Sequence, residues 1–298
     1  MGDYVTGQNA VCLLSTTPET EFGKVIPSVN WQVFGIVSSA EANRSTDTNK
    51  IYGLGQKAAQ AEYAGAVENT LRVDCVAPSK AILRTALPNV NQEINSYNFA
   101  IGKSGDSGKG VGLKWNQMTI NVPEEEPLSV SFDGIFKSWL VPAGSATGFD
   151  IEKQLIANPI LWKRTGLTLR IGGVIDNDLM SLEITVNNNI TRKGVDNSIS
   201  NQQRTAKVLE DGNFEVDARV MTYTRPIGIN LEESGYGCST GNITMEATFV
   251  NECSTASSPE TLVITLGNGI YKSVNESYNA NEIVQYEIGI QFRTMTIT

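Results

Sequence analysis

The chain has 298 residues, 40% of them hydrophobic and 18% charged, with a formal net charge of −9 and an isoelectric point near 4.7. That length and apolar content describe a folded protein large enough for two domains. The acidic balance, with no cluster of Lys or Arg interleaved with aromatics, excludes a protein that grips nucleic acid through its phosphates.

Residues 1–17 (MGDYVTGQNAVCLLSTT) have no basic segment and only a five-residue apolar run, Ala10 to Leu14, so no secretory signal is expected. Gly2 to Thr6 meets only the loose form of a myristoylation pattern. No stretch approaches the roughly 18 apolar residues of a membrane helix, so no membrane anchor is expected. Residues 1–27 match no strand pattern and are expected to form an arm. Strand signals then follow at 31–39, 69–76, 95–103, 117–122, 126–139, 165–173, 180–188, 212–224, 243–250, 261–266 and 282–297, bounded by Gly, Asn, Pro or Ser. Helical signals are few. Ser79 can cap a helix that Pro88 stops, Asp150 can cap another over 150–157, and 57–64 could add a turn or two. Strands dominate the chain.

The strands recur. Residues 126–139 (EPLSVSFDGIFKSW) lie over 282–295 (EIVQYEIGIQFRTM), placing Val130 on Tyr286, Phe132 on Ile288, Phe136 on Phe292 and Lys137 on Arg293. Residues 65–77 lie over 212–224, placing Glu68 on Glu215, Arg72 on Arg219 and Val73 on Val220; residues 31–39 are laid over 180–188. Three blocks in one order, offset by 156, 147 and 149 residues, predict a duplicated domain. The expected layout is an arm over 1–27, a first domain over 28–145, a connector over 146–164 and a second domain over 165–298. In 128–138 and 282–297 the even residues should face a core and the odd ones water. On that register Phe132→Asp and Ile288→Asp should unfold the protein, whereas Ser131→Asp and Gln285→Glu should fold normally.

Nothing in the sequence builds a catalytic site. The absence of histidine removes the commonest general base, the usual acyl-transfer triads and imidazole-dependent zinc sets. Glu124, Glu125 and Glu126 stand in a row between two prolines, the pattern of a solvated turn and not of two carboxyls opposed across a sugar. Residues 102–110 (GKSGDSGKG) lack the phosphate-loop spacing and its metal-holding Ser or Thr, and read as a hairpin tip. Asp176 and Asp178 lack the glycine and distal glutamate of a calcium loop, and read as a turn. Cys12, Cys75, Cys238 and Cys253 are widely spaced, consistent with four reduced thiols or with a Cys238 to Cys253 bridge across a hairpin. The sequons at Asn43, Asn189, Asn242 and Asn275 are no more than frequent Asn, Ser and Thr produce by accident. No catalytic residue, cofactor or metal is expected.

In the order of its motifs the chain resembles the tail tube proteins of tailed bacteriophages and archaeal viruses, in their two-domain form. The resemblance rests on Tyr52-Gly53-Leu54-Gly55-Gln56 followed by Gly65 and the 69–76 strand, on 167–174 (LTLRIGGV) leading into 182–189 (LEITVNNN), and on 261–298. It implies a mostly β chain of two tandem barrel or sandwich domains, each with a short helix, polymerising into stacked rings. It also implies a structural virion protein and no enzyme: a subunit of the hollow tail tube that conducts viral DNA into the host, made in the host cytoplasm. Implied partners are copies of the chain itself, the tape measure, tail terminator and baseplate proteins and, in a contractile tail, a sheath. Duplication suggests three chains per ring where single-domain relatives use six. A wall of this charge would let duplex DNA pass without holding it. A capsid or decoration protein and a carbohydrate-binding or adhesive β-sandwich are the alternatives.

Overall fold

The computed structural model describes residues 10–26, 30–52, 59–103, 106–140, 160–196, 205–224, 243–251, 260–278 and 284–298. The first half holds β1 (Ala10–Ser15), β2 (Trp31–Val33), β3 (Ile36–Tyr52), β4 (Ala59–Val76), the short helix α1 (Lys80–Arg84), β5 (Tyr97–Lys103), β6 (Asp106–Val122), β7 (Ser129–Ile135) and β8 (Ser138–Leu140). The second holds β9 (Leu167–Ile171), β10 (Val174–Asp176), β11 (Leu179–Asn187), β12 (Thr191–Asp196), β13 (Thr205–Glu210), β14 (Glu215–Thr222), β15 (Ile243–Val250), β16 (Thr261–Ser277), β17 (Gln285–Phe292) and β18 (Thr294–Ile297). The fold is mostly β, as expected. Residues 59–64 are strand and not helix, because pairing along the β3–β4 hairpin overrides the helix-favouring alanines. The helix expected over 150–157 lies outside the described residues.

A central antiparallel sheet runs β3-β4-β7-β6-β11-β14-β17-β16. Behind each half of it lies a smaller layer, β2-β1-β5-β6-β8 in one and β10-β9-β15-β16-β18 in the other. β6 and β16 belong to both layers. They bend between sheets at Gly112 (φ +72°) and Asn268 (φ +57°), and at bulges between Trp115 and Gln117 and between Tyr271 and Ser273. Every one of these features is offset by 156 residues. Apolar faces meet between the layers, with Phe34 edge-on to Trp115 and Phe132 at ring-centroid distances of 5.7 and 5.8 Å.

The registers establish the repeat. Val73 faces Phe132 and Val220 faces Ile288; Glu41 faces Arg72 and Glu183 faces Arg219. The 147 and 156 offsets therefore hold in three dimensions, but the third is corrected. β3 corresponds to β11, and β2 to β10, at an offset of 142, so residues 31–39 match 173–181 and not 180–188. A nine-residue alternation fits many strands; only the pairing partners fix it.

The expected alternation holds in β7 and β17, where Val130 and Phe132, and Ile288, Ile290 and Phe292, are buried between half-buried odd residues. It inverts in β18, where Met295 and Ile297 are buried and Thr294 and Thr296 exposed. The strand breaks there as the chain crosses to the other layer, which Lys137 and Arg293 mark alike by donating backbone N–H to Val111 O (3.0 Å) and Gly267 O (3.2 Å).

The supposed arm is partly core. β1 buries Cys12, Leu13 and Leu14, and Glu19 fastens the segment after it. Its carboxylate accepts from Gly23 N (2.7 Å), Gly112 N (2.7 Å), Ser96 Oγ (2.8 Å) and Asn98 Nδ2 (2.5 Å). Glu19→Gln turns an amide donor toward two of these donors and is expected to cost about 2–3 kcal/mol, read as a shifted denaturation midpoint.

The halves are also bonded through Asn188, which is 1% exposed. Its Nδ2 donates to Ala86 O (3.0 Å) and Trp115 O (2.7 Å), and Arg84 Nε donates to Ile297 O (2.7 Å). Asn188→Leu strands two buried carbonyls, an expected loss of about 3 kcal/mol measurable by denaturant titration.

Candidate functional site

The distinctive surface is the wet face of the central sheet. Alternation sends the apolar side chains of β3, β4, β7, β6, β11, β14, β17 and β16 inward and their polar neighbours outward, so one continuous polar face crosses both halves. Glu41, Asp74, Asp133, Glu183, Asp217 and Glu287 stand on it, with Arg72, Arg219 and Lys272 among them. The cations are paired: Arg72 with Asp74 at 3.5 Å, Arg219 with Glu287 at 3.1 Å, Lys272 with Asp217 at 2.9 Å. Among the described residues the face is therefore acidic and offers phosphate no cluster of basic groups.

Asp74 is built into this face. Ser131 Oγ and Ser39 Oγ donate to its two oxygens at 2.5 and 2.6 Å. Burial raises its carboxyl, but these hydrogen bonds and the Arg72 guanidinium outweigh it and hold the group below its ordinary value. Ser131→Asp would set a second carboxylate against Asp74, so the expectation of normal folding is corrected; Gln285→Glu remains a neutral control.

Six residue pairs of β6 and β11 form the seam between the halves, and on this face Thr119 meets Thr185 with hydroxyl oxygens 3.5 Å apart. Among the described residues β3 pairs only with β4, and the 270–277 stretch of β16 only with β17, so the sheet ends in two exposed edges. Long open edges are a hazard in a monomer and a means of assembly in an oligomer.

The residues weighed for chemistry stay apart. Glu124, Glu125 and Glu126 are exposed in the β6–β7 turn, where Glu124 Oε1 accepts from Arg164 and Tyr223 at 3.4 Å. Asp176 caps its own turn, accepting from Asp178 N at 2.9 Å. Lys103 and Asp106 are the last backbone register pair before the turn of the 102–110 hairpin. Cys12 and Cys75 are buried free thiols; burial pushes the first far up and the second to about 12. Cys238 and Cys253 lie outside the described residues. No helix among the described residues is long and apolar enough to cross a membrane.

An acidic sheet face with two open edges, on a chain of repeated halves, matches the architecture of an assembling wall. The model of the phage tail tube protein family matches residues 5–266. The chain belongs to that family. As a tail tube protein it is a structural component of the virion tail, and the family self-assembles into a tube in association with other tail components. No curated protein matches the chain. The strand signals at 31–39 and 261–266 fall on β3 and β16, but their extensions over 40–52 and 267–277, which form the open edges, were not read from the sequence; for β3 the recurrence of Glu41-Arg72 as Glu183-Arg219 was the signal that could have found the extension.

Proposed function

We propose that this tube protein forms the bore through which viral DNA leaves the particle, with three chains closing each ring and the wet face of the central sheet lining the channel. Each half serves as one tube domain, the first beginning at β1 and the two meeting within 141–166, and the chain performs no catalysis. The observation that supports this most directly is the β6–β11 seam. It joins the two halves through the counterparts of the very strands left open at the ends of the sheet, so the same joint can repeat between chains.

Size favours three. Eight strands from each of three chains, spaced about 4.8 Å and tilted about 40°, enclose a backbone diameter of roughly 40–50 Å. Less about 10 Å of side chains, that admits a duplex about 20 Å across, while a ring of two chains would leave it no clearance. The acidic face supplies no counterion-releasing contacts, so DNA should slide without being held.

Negative-stain microscopy of the purified protein, with duplex retention measured on the same sample, tests the reading. Hollow tubes that retain no duplex at physiological salt are expected. Closed shells would instead point to a capsid or decoration role, monomers to an adhesive sandwich, and micromolar retention that weakens steeply with salt would refute the passive bore.

A further inference from the structure

The seam inside one chain specifies, residue by residue, the joint between two, and we infer that β3 of one copy pairs antiparallel with β16 of the next, Asn43 opposite Asn275, while the outer part of the β3–β4 hairpin, at the Lys50–Glu62 register position, seats in a groove bounded by Phe214, Glu215, Ile270 and Gln291. This rests on the proposed ring and goes beyond it by fixing the register and the docking partner, a second copy of this chain.

Register follows from the offsets. At the internal seam Thr119 faces Thr185, Ile120 faces Ile184 and Met118 faces Val186. Advancing β6 by 156 gives Asn275, Glu276 and Val274; moving β11 back by 142 gives Asn43, Ala42 and Arg44. The strands so matched are complementary. Ala40 and Ala42 are small on the core-facing side of β3, where they meet the larger Glu276 of β16 and Tyr278 just beyond its end, and Arg44 falls diagonal to Glu276. Tyr278 is 69% exposed, whereas its counterpart Val122, covered by β11, is fully buried. The face that the internal seam closes is open at this edge.

The hairpin supplies an independent argument. In the second half the β12–β13 hairpin folds back on the first half: Arg192 lies 3.4 Å from Glu68 and donates to Val67 O at 3.3 Å, Asp211 takes Lys114 at 2.8 Å, and Leu209 packs in the cluster that includes Ile135. Advanced by 147 and 156, Val67, Glu68, Lys114 and Ile135 become Phe214, Glu215, Ile270 and Gln291. Those four residues line a groove of about 440 Å³. Its counterpart is filled within the chain, and the filler's counterpart is the β3–β4 hairpin. Lys50 pairs with Glu62 as Arg192 pairs with Leu209, so the repeat extends along the hairpin, and Lys50 holds the position from which Arg192 reaches Glu68. Lys50 is thereby matched to Glu215 of the neighbouring copy.

The test is oxidative cross-linking of the assembled full chain carrying Asn43→Cys and Asn275→Cys, against the shifted pairs Asn43→Cys with Ser273→Cys and Asn43→Cys with Ser277→Cys. Cys12 and Cys75 are buried; Cys238 and Cys253 are replaced by serine in every variant, and the same chain without the introduced cysteines sets the background. The 43–275 pair should link efficiently into covalent trimers and the shifted pairs about tenfold less. Tubes that link only in a shifted register, or not at all, overturn the inference and leave the conduit reading standing. Efficient 43–275 linkage in particles that are not tubes upholds the joint and overturns the conduit. For the groove, Lys50→Glu or Glu215→Lys should lower tube yield about tenfold and the double exchange restore it. A double exchange no better than either single change refutes the hairpin docking.

Discussion

Phe132→Asp and Ile288→Asp are each expected to abolish soluble folded protein. The two positions are equivalent in the repeat, facing Val73 and Val220, and neither has any exposed surface. Phe132 also touches Phe34 and Trp115, so truncation empties an aromatic cluster as well as burying a carboxyl. A carboxylate there is forced to protonate or to open the sandwich, and the combined cost of about 5 kcal/mol or more rivals the total stability of an ordinary domain. Gln285→Glu, on the wet face of the same strand, should melt within a degree or two of the parent. Soluble yield and thermal melts decide the matter. Equal behaviour of the core and wet-face variants would mean that the strands face the other way.

Converting the proposed bore-lining face from acidic to basic should have an effect of comparable size on function, at a cost to the fold of about 1 kcal/mol or less per site for setting a lysine across from an arginine. Glu41 and Glu183 occupy the same position in the two repeats, each across from an arginine. With three chains per ring, Glu41→Lys combined with Glu183→Lys places a lysine at every one of six equivalent points. Duplex DNA inside would then release counterions on contact, and once six to ten phosphates are engaged affinity should fall by about 10³ to 10⁵ between 50 and 200 mM salt. Unaltered tubes should retain no duplex in either condition. Sedimentation of tubes with labelled duplex across a salt series reads both results; variant tubes as inert as the parent would show that this face does not line the channel.

What the sequence disclosed, and what it hid, follows from how each strand is buried. β7 and β17 have one wet face and one packed face, so their alternation and their 156-residue relation stand out in the letters. β1 was hidden because Cys12, Leu13, Leu14 and Ser15 are all buried, giving a short apolar run instead of an alternation. β3 beyond residue 43 was hidden for the opposite reason: residues 44–50 (RSTDTNK) are all polar, and no apolar alternation marks a face. The helix-favouring run at 59–64 misled because hairpin pairing, not local propensity, decides its state. The acidic character of the site was legible in composition, but its gathering onto one face required the sheet, and the two open edges required knowing which strands pair.

The central claim is a ring of three chains whose two halves both line the bore, and helical reconstruction of assembled tubes tests it most directly. Three chains per ring are predicted, with all eight central strands of each, β3 through β16, forming one continuous wall and Glu41 and Glu183 at equal radius. Six chains per ring, with only one half of each facing the channel and the other outside it, would contradict the account.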